Sequence, residues 1–265
     1  STNPPRPNPN PARPSRLEGY LPRVEVKINM EREEILINAQ LALFFEAPIV
    51  RPDLFVEDFN KAMGSIFDQI PVILPVPNEL SDVPVVQMNT TNGVYSCSIA
   101  RGRVDFFHAG IGKQKFSDIK SNFQNEIEKL YKFFSDKTNI KRIGSVTRFF
   151  FEDAKQDKTI AKLINEDFRK LHNGDTHQAY IRYVSSIKIN EFEVNNFTSI
   201  EKFLARISGV GDEIKGILIT RDFNTVPEAN YRDKFNFGEI DKFIKESETK
   251  LKLEDIKKIL WPRKE

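Results

Sequence analysis

Two imidazoles and a carboxylate fall close together in Leu171-His-Asn-Gly-Asp-Thr-His177, where His172, Asp175 and His177 could approach one metal ion. The same string is also ordinary turn chemistry after a helix, and it matches no fixed metal-ligand spacing. A solvated loop is therefore the expected reading, and no metal or other cofactor is expected. A second constellation, Asp212, Glu213 and Lys215, opens a strand-like run with an acidic-x-Lys spacing, and Glu25-Val-Lys27 repeats it. Metal-dependent nucleases use a carboxylate pair to hold Mg²⁺ and a lysine to organise the attacking water. Salt-bridged strand edges, which use lysine routinely, give the same pattern.

A third set is basic and aromatic. Arg142, Arg148, Arg182 and Arg221, with Tyr180 and Tyr183, all fall on strand-like runs. On the outer face of a sheet they would stack on bases and contact phosphates. The competing arrangement buries the rings and pairs the arginines with nearby acids. His108, at a strand end beside Phe106 and Phe107, reads as a hydrogen-bonded structural histidine. No Ser or Cys sits in a nucleophile-elbow sequence, and Gly209-Val-Gly211-Asp212 lacks both the phosphate-loop and dinucleotide fingerprints.

The first sixteen residues carry a different kind of chemistry. Pro4, Pro5, Pro7, Pro9, Pro11 and Pro14 alternate with Arg6, Arg13 and Arg16, with almost nothing apolar. Such a segment is expected to be extended, with polyproline II character, and unable to bury a core. Pro4 to Pro7 and Pro11 to Pro14 match the P-x-x-P spacing of peptides that dock in aromatic grooves. A protein partner would then be held by these prolines on aromatic rings and by Arg13 and Arg16 on carboxylates; a plain flexible tail is the alternative.

Composition bounds the rest. The chain has 265 residues, 39% hydrophobic content and 22 Phe, enough for a substantial globular core. Forty Lys and Arg against 38 Asp and Glu leave a net charge of +2, so no global field favours nucleic acid or an acidic membrane. Any nucleic-acid contact must come from a local patch. Cys97, the single cysteine, reads as a core filler in a reducing compartment, and no run is long enough to span a membrane. A cytoplasmic location is expected.

Hydrophobic periodicity supplies the elements that must position these residues. Val24 to Met30 alternates as a half-buried strand and pairs, on this reading, with Ile35 to Phe45 in a hairpin. Asp53 caps a helix bearing Phe55, Phe59 and Ile66, and a proline-rich loop follows. Val85 to Asn89, Val94 to Ala100 and Arg103 to His108 form an antiparallel meander, and Ser117 or Asp118 opens a long helix striped by Ile119, Phe123, Ile127, Leu130 and Phe134.

The same order recurs in the second half. Ile140 to Phe151 is a strand, Lys158 to Leu171 a helix, and Ala179 to Asn190, Phe192 to Leu204 and Glu213 to Phe223 three further strands. Helices at Glu239 to Leu251 and before Trp261-Pro262 complete it. The expected fold is α+β: two pseudo-repeated halves of strand, helix, three strands and helix, with mainly antiparallel sheets and helices on one side. The domain plan is a tail at residues 1–16, a first half at 17–136 and a second at 137–265, packed as one body.

With Arg142-Ile-Gly144 before an aromatic strand, and Gly216-Ile-Leu-Ile-Thr-Arg-Asp-Phe-Asn224 before a final helix, the chain resembles a sporadically distributed bacterial family of uncharacterised proteins. The resemblance implies a bacterial or phage origin and a link to mobile or defence genes, such as phage defence or a toxin-antitoxin pair. It carries no catalytic residues. The functional expectation is a non-catalytic binding or scaffold protein within a larger bacterial assembly. The alternative is a metal-dependent nucleic-acid-processing enzyme.

Overall fold

Residue alternation along Ile35–Phe45 places Ala39, Leu41, Leu43 and Phe45 on one face and Asn38, Gln40, Ala42 and Phe44 on the other. That run is β1, the central element of the structure. The structure, a computed structural model, describes residues 32–170, 178–206, 213–226 and 235–262. The proline-rich tail, the Val24 to Met30 run, the metal-ligand candidates His172, Asp175 and His177, and Asp212 lie outside the described residues.

After β1 come a 3₁₀ turn at Pro52–Phe55, α1 at Val56–Ala62, β2 at Val72–Ile73, β3 at Pro84–Asn89, β4 at Tyr95–Ala100, β5 at Arg103–Ala109 and α2 at Phe116–Ser135. The second half holds β6 at Ile140–Glu152, α3 at Gln156–Ala161, α4 at Glu166–Lys170, β7 at Tyr180–Ile189, β8 at Phe192–Arg206, β9 at Glu213–Thr225, α5 at Phe237–Thr249 and α6 at Leu253–Leu260. The fold is thus mixed helix and strand. The described strands form one nine-stranded sheet in the order β2-β3-β4-β5-β1-β6-β9-β8-β7. Each pairing in it is antiparallel.

β1 and β6 are direct neighbours at the middle of this sheet, so both halves of the chain share it. β5 takes the other edge of β1. Both edges of β1 are therefore occupied by described strands. Going outward from the β1–β6 pair, the sheet reads β5, β4, β3 on one side and β9, β8, β7 on the other.

The helices pack against one face. The large apolar cluster contains Leu41, Leu43, Val104, Phe106, Ile143, Phe149, Phe151, Ile217, Ile219 and Phe223 from the strands. Phe123 of α2 stacks on Phe106 at 5.9 Å between ring centroids, and Phe134 stacks on Phe45 at 5.2 Å. Phe59 of α1 meets Phe133 and Phe134, so α1 rides on α2. Ile240, Phe243 and Ile244 bury α5 in the same cluster, and Trp261, just past α6, packs on Phe151. His108 belongs here too. Its Nδ1 lies 2.9 Å from the Ala109 carbonyl, and burial lowers its pKa, as suits a structural histidine. Cys97 is buried, and burial pushes its thiol well up.

Two local expectations are corrected. Asp53 does not cap α1: it sits in the preceding 3₁₀ turn, where Arg51 Nη2 holds it at 2.6 Å. The single helix read from Lys158 to Leu171 is two short ones, because Asn165 Oδ1 accepts from the backbone N–H groups of Asp167 at 2.8 Å and Phe168 at 3.3 Å. An asparagine that caps a new first turn ends the helix before it. No described helix is long and apolar enough to cross a membrane.

Candidate nucleic-acid interface

The second face of the sheet carries no described helix. Among the described residues, α1, α2, α3, α5 and α6 all contribute buried side chains to the cluster on the first face, such as Phe59, Phe123, Ile160, Phe243 and Leu260. Among the described residues, a small buried apolar cluster of strand residues, Ile35, Phe150 and Ala205 with Ile37, Phe203 and Ile214, lies on the second face at one end of the strands.

Strand registers arrange the remaining side chains of this face in rows. At one end Arg103 of β5 lies opposite Phe44 of β1, which lies opposite Arg142 of β6. The next row runs Asp105, Ala42, Gly144, Asn224 and Asn195. The third runs Phe107, Gln40, Val146, Asp222 and Phe197, and the fourth Asn38, Arg148, Thr220, Ser199 and Arg182. Alternation at period two puts polar residues here because the opposite face is filled with Leu, Ile and Phe.

Each arginine of the face is held in a fixed pose. Arg142 lies over the Phe44 ring at 4.5 Å from its centroid and donates to Asn224 Oδ1 at 3.1 Å. Arg103 approaches the same ring at 5.5 Å, and its Nε is 2.8 Å from Asp105 Oδ2. Arg182 lies over Phe197 at 4.8 Å. Arg148 Nη1 donates to Asn38 Oδ1 at 3.0 Å and more weakly to Gln40 Oε1 at 3.4 Å. Cation–π contact holds a guanidinium over its ring without using its N–H groups, which stay able to hydrogen-bond.

Amides link these groups. Gln40 Nε2 donates to Asp105 Oδ1 at 2.9 Å, and Asn195 Nδ2 to Asn224 Oδ1 at 3.1 Å. Burial raises the pKa of Asp105 against the pull of Arg103 and Gln40. Burial likewise raises Asp222, against Asn224 and the charges of Arg142, Arg148 and Arg182. Both carboxyls therefore hold their negative charge less firmly than an exposed aspartate. Burial lowers Arg148, with Asp222 and Glu201 acting in the other direction.

Of the four arginines singled out from sequence, the structure brings Arg142, Arg148 and Arg182 to this face and turns Arg221 to the other. Arg221 alternates with Ile219 and Phe223, is buried, and donates to Asn196 Oδ1 and to the Lys250 carbonyl, each at 2.9 Å, and to Thr198. Burial pushes its pKa down to about 10. It ties β9 to the end of α5 and is structural. Tyr180 is on the open face and Tyr183 on the opposite one, both at the edge strand β7.

Sequence reading missed Phe44, Phe197 and Arg103. The signal for Phe44 was its place in the β1 alternation, out of phase with Leu41, Leu43 and Phe45. Of the nuclease candidates, Glu213 pairs with Arg206 at 2.8 Å on an exposed strand end, and exposed Lys215 lies two residues along β9. Among the described residues, no group of three or more His, Cys, Asp or Glu side chains is placed to hold a metal ion.

No protein-family model matches the chain, and no curated protein matches it in sequence. The geometry of this face therefore carries the functional argument by itself.

Proposed function

We propose that the protein is a non-catalytic binding protein whose open sheet face holds single-stranded nucleic acid. The carrying observation is the set of arginines seated on phenylalanines, Arg142 and Arg103 on Phe44 and Arg182 on Phe197, beside a half-buried Arg148 on the same face. Aromatic and guanidinium planes stack bases of any sequence, and free guanidinium N–H groups pair with phosphates. Four arginines over the central rows face two aspartates whose charge burial weakens and Glu201 beside Arg148, so this patch keeps a positive excess on a chain that is nearly neutral.

Size agrees with a short single strand. From Arg103 on β5 to Arg182 on β7 the face crosses five strand spacings of about 4.8 Å, and the rows span six residues at about 3.3 Å, a diagonal of about 30 Å. A site of this kind covers on the order of 4–16 nucleotides. A duplex fits the flat face less well, because its bases are stacked inside.

The same reading takes the two halves as related by a pseudo-two-fold axis through the β1–β6 pair. The outward orders β5-β4-β3 and β9-β8-β7 support it. Placement within a bacterial defence assembly belongs to this proposal as well, with the protein as its nucleic-acid-binding part.

Fluorescence anisotropy with labelled single-stranded DNA and RNA, at several salt concentrations, tests the proposal. Micromolar or tighter binding that weakens with salt, and competes poorly with duplex, is the expected result. Absence of binding to any single strand at low salt would refute it. Cleavage of the probe with Mg²⁺ or Mn²⁺, lost in Glu213→Gln, would favour the nuclease alternative instead.

A further inference from the structure

The two edges of the sheet are built differently. β2, at one end, is two residues long and flanked by Pro71, Pro75 and Pro77, so it offers almost no ladder to another strand. Short edges and prolines keep a sheet from growing. β7, at the other end, has neither guard. It runs ten residues without proline or glycine, and its register with β8 is unbroken from Tyr180↔Glu201 to Ile189↔Phe192, so no bulge turns it away. No described strand pairs with its outer edge.

The side chains of this edge are apolar for their exposure. Tyr183 is 65% exposed, Val184 51% and Tyr180 49%, with Tyr180 and Val184 on the open face and Tyr183 on the other. The strand carries no acidic residue. Of its two cations, Arg182 lies over Phe197, and Lys188 stands opposite Glu193 of β8. A long, flat, partly apolar edge of this kind is a template for another strand.

We infer that β7 pairs with β7 of a second copy of this chain, antiparallel about a two-fold axis through Val184. The sequence of the strand fits this register. Val184 meets Val184 of the second copy, Tyr183 meets Ser185, Arg182 meets Ser186, Ile181 meets Ile187 and Tyr180 meets Lys188. Apolar residues face apolar residues, each cation faces a hydroxyl or a ring, and no like charges are opposed. Centring the axis on Ser185 would set Arg182 against Lys188 twice, and centring it on Arg182 or Lys188 would oppose a cation to itself. Centring it on Tyr183 would stop the ladder at Ser186. Each chain has one such edge, so the contact closes at two copies. The axis stands normal to the sheet, which keeps both open faces on one side. Where that face holds a single strand, its rows ending at Arg182 run on into the second copy; this consequence, unlike the pairing, rests on the proposed function.

The mass of the full chain in solution, measured by light scattering or sedimentation without nucleic acid, is the first test. About twice 30.6 kDa is expected at micromolar concentration. A monomer at the highest soluble concentration would overturn the pairing and leave single-strand binding by one face untouched. Failure of the anisotropy experiment would in turn leave the dimer standing.

Val184→Lys sets two ammonium groups against each other on the axis and should weaken the dimer at least about tenfold, with the circular dichroism spectrum unchanged. A folded Val184→Lys protein as dimeric as the native would overturn the proposal by placing the contact elsewhere. Val184→Cys tests the register, because position 184 meets itself. Oxidation should give a disulfide-linked dimer, while Ser186→Cys, opposite Arg182, should give none; the native Cys97 is buried and does not compete. Cross-linking through Ser186→Cys and not through Val184→Cys would overturn the register and the proposal with it. If Val184→Lys fails to fold, the native mass and the two cysteine variants still decide.

Discussion

Arg142 covers the ring of Phe44 at 4.5 Å while its Nη2 donates 3.1 Å away to Asn224, so one side chain joins β1, β6 and β9 across the open face. This arrangement separates charge from shape. Arg142→Lys keeps the charge but loses the planar stack and the fork. Arg142→Ala should weaken single-strand binding by about 1–2 kcal/mol and lower the salt slope by roughly one counterion. Arg142→Lys should restore most of the slope and little of the affinity. Anisotropy titrations over a range of salt measure both quantities, and equal affinity of Lys and native proteins would show that stacking adds nothing.

Arg221 gives the matching control on the other face. It is buried and bonded to Asn196, Thr198 and the Lys250 carbonyl, remote from the open face through the thickness of the sheet. Arg221→Ala strands those acceptors and should cost about 2–4 kcal/mol of stability, as for a buried charge-assisted network. Urea denaturation measures this. Below the unfolding transition, nucleic-acid affinity of the variant should match native, and a selective loss of binding would return Arg221 to the interface.

How far these roles could be read from sequence depends on how local their causes are. The stripe Ile119, Phe123, Ile127, Leu130 and Phe134 is a property of α2 alone, and each of these residues is buried. The strand runs were equally local. Partner choice was not: β1 lies between β5 and β6, 59–71 and 95–115 residues away in the registers, and no pattern within β1 states this. The break between α3 and α4 rests on one asparagine that could as easily have faced solvent. Arg221 was legible but misread, since Ile217, Ile219 and Phe223 share its parity and mark the core side.

Asp153 offers a pH test of the fold itself. It is buried; burial would raise its pKa, but bonds from Thr159 Oγ1 at 2.6 Å, Trp261 Nε1 at 2.9 Å and the Lys155 N–H at 2.8 Å, with Arg32 nearby, outweigh that and leave it lowered. A folded pKa below the unfolded value, about 3.9, means that the stabilisation is fully present above about pH 4 and is lost as pH falls through the folded value. Asp153→Asn should lower stability at neutral pH and flatten the acid limb. Trp261→Phe, which removes one donor, should cost about 1 kcal/mol at neutral pH. Thermal melts from neutral pH down through the ordinary aspartate range distinguish these, and an acid limb unchanged in Asp153→Asn would assign the acid sensitivity elsewhere.

The open-face carboxyls predict the opposite sign for binding. Asp222 faces Arg142, Arg148 and Arg182 and is bonded by Asn224, while Asp105 faces Arg103 and Gln40, with Asp82 adding negative charge. Burial already raises both pKa values, and a bound phosphate chain adds negative potential that raises them further. Binding must therefore take up protons, and by linkage affinity increases as pH falls from neutral toward the usual aspartate range near about 4. The arginines stay charged throughout, so the carboxyls set the slope. Asp222→Asn should bind single strands more tightly than native at neutral pH and show a shallower pH dependence, with Asp105→Asn acting in the same direction. Affinity that is flat with pH in the native protein, or an Asp222→Asn variant that binds more weakly while its melting temperature is unchanged, would mean that this carboxylate holds the arginines in their binding pose, and that this outweighs its repulsion of the phosphate chain.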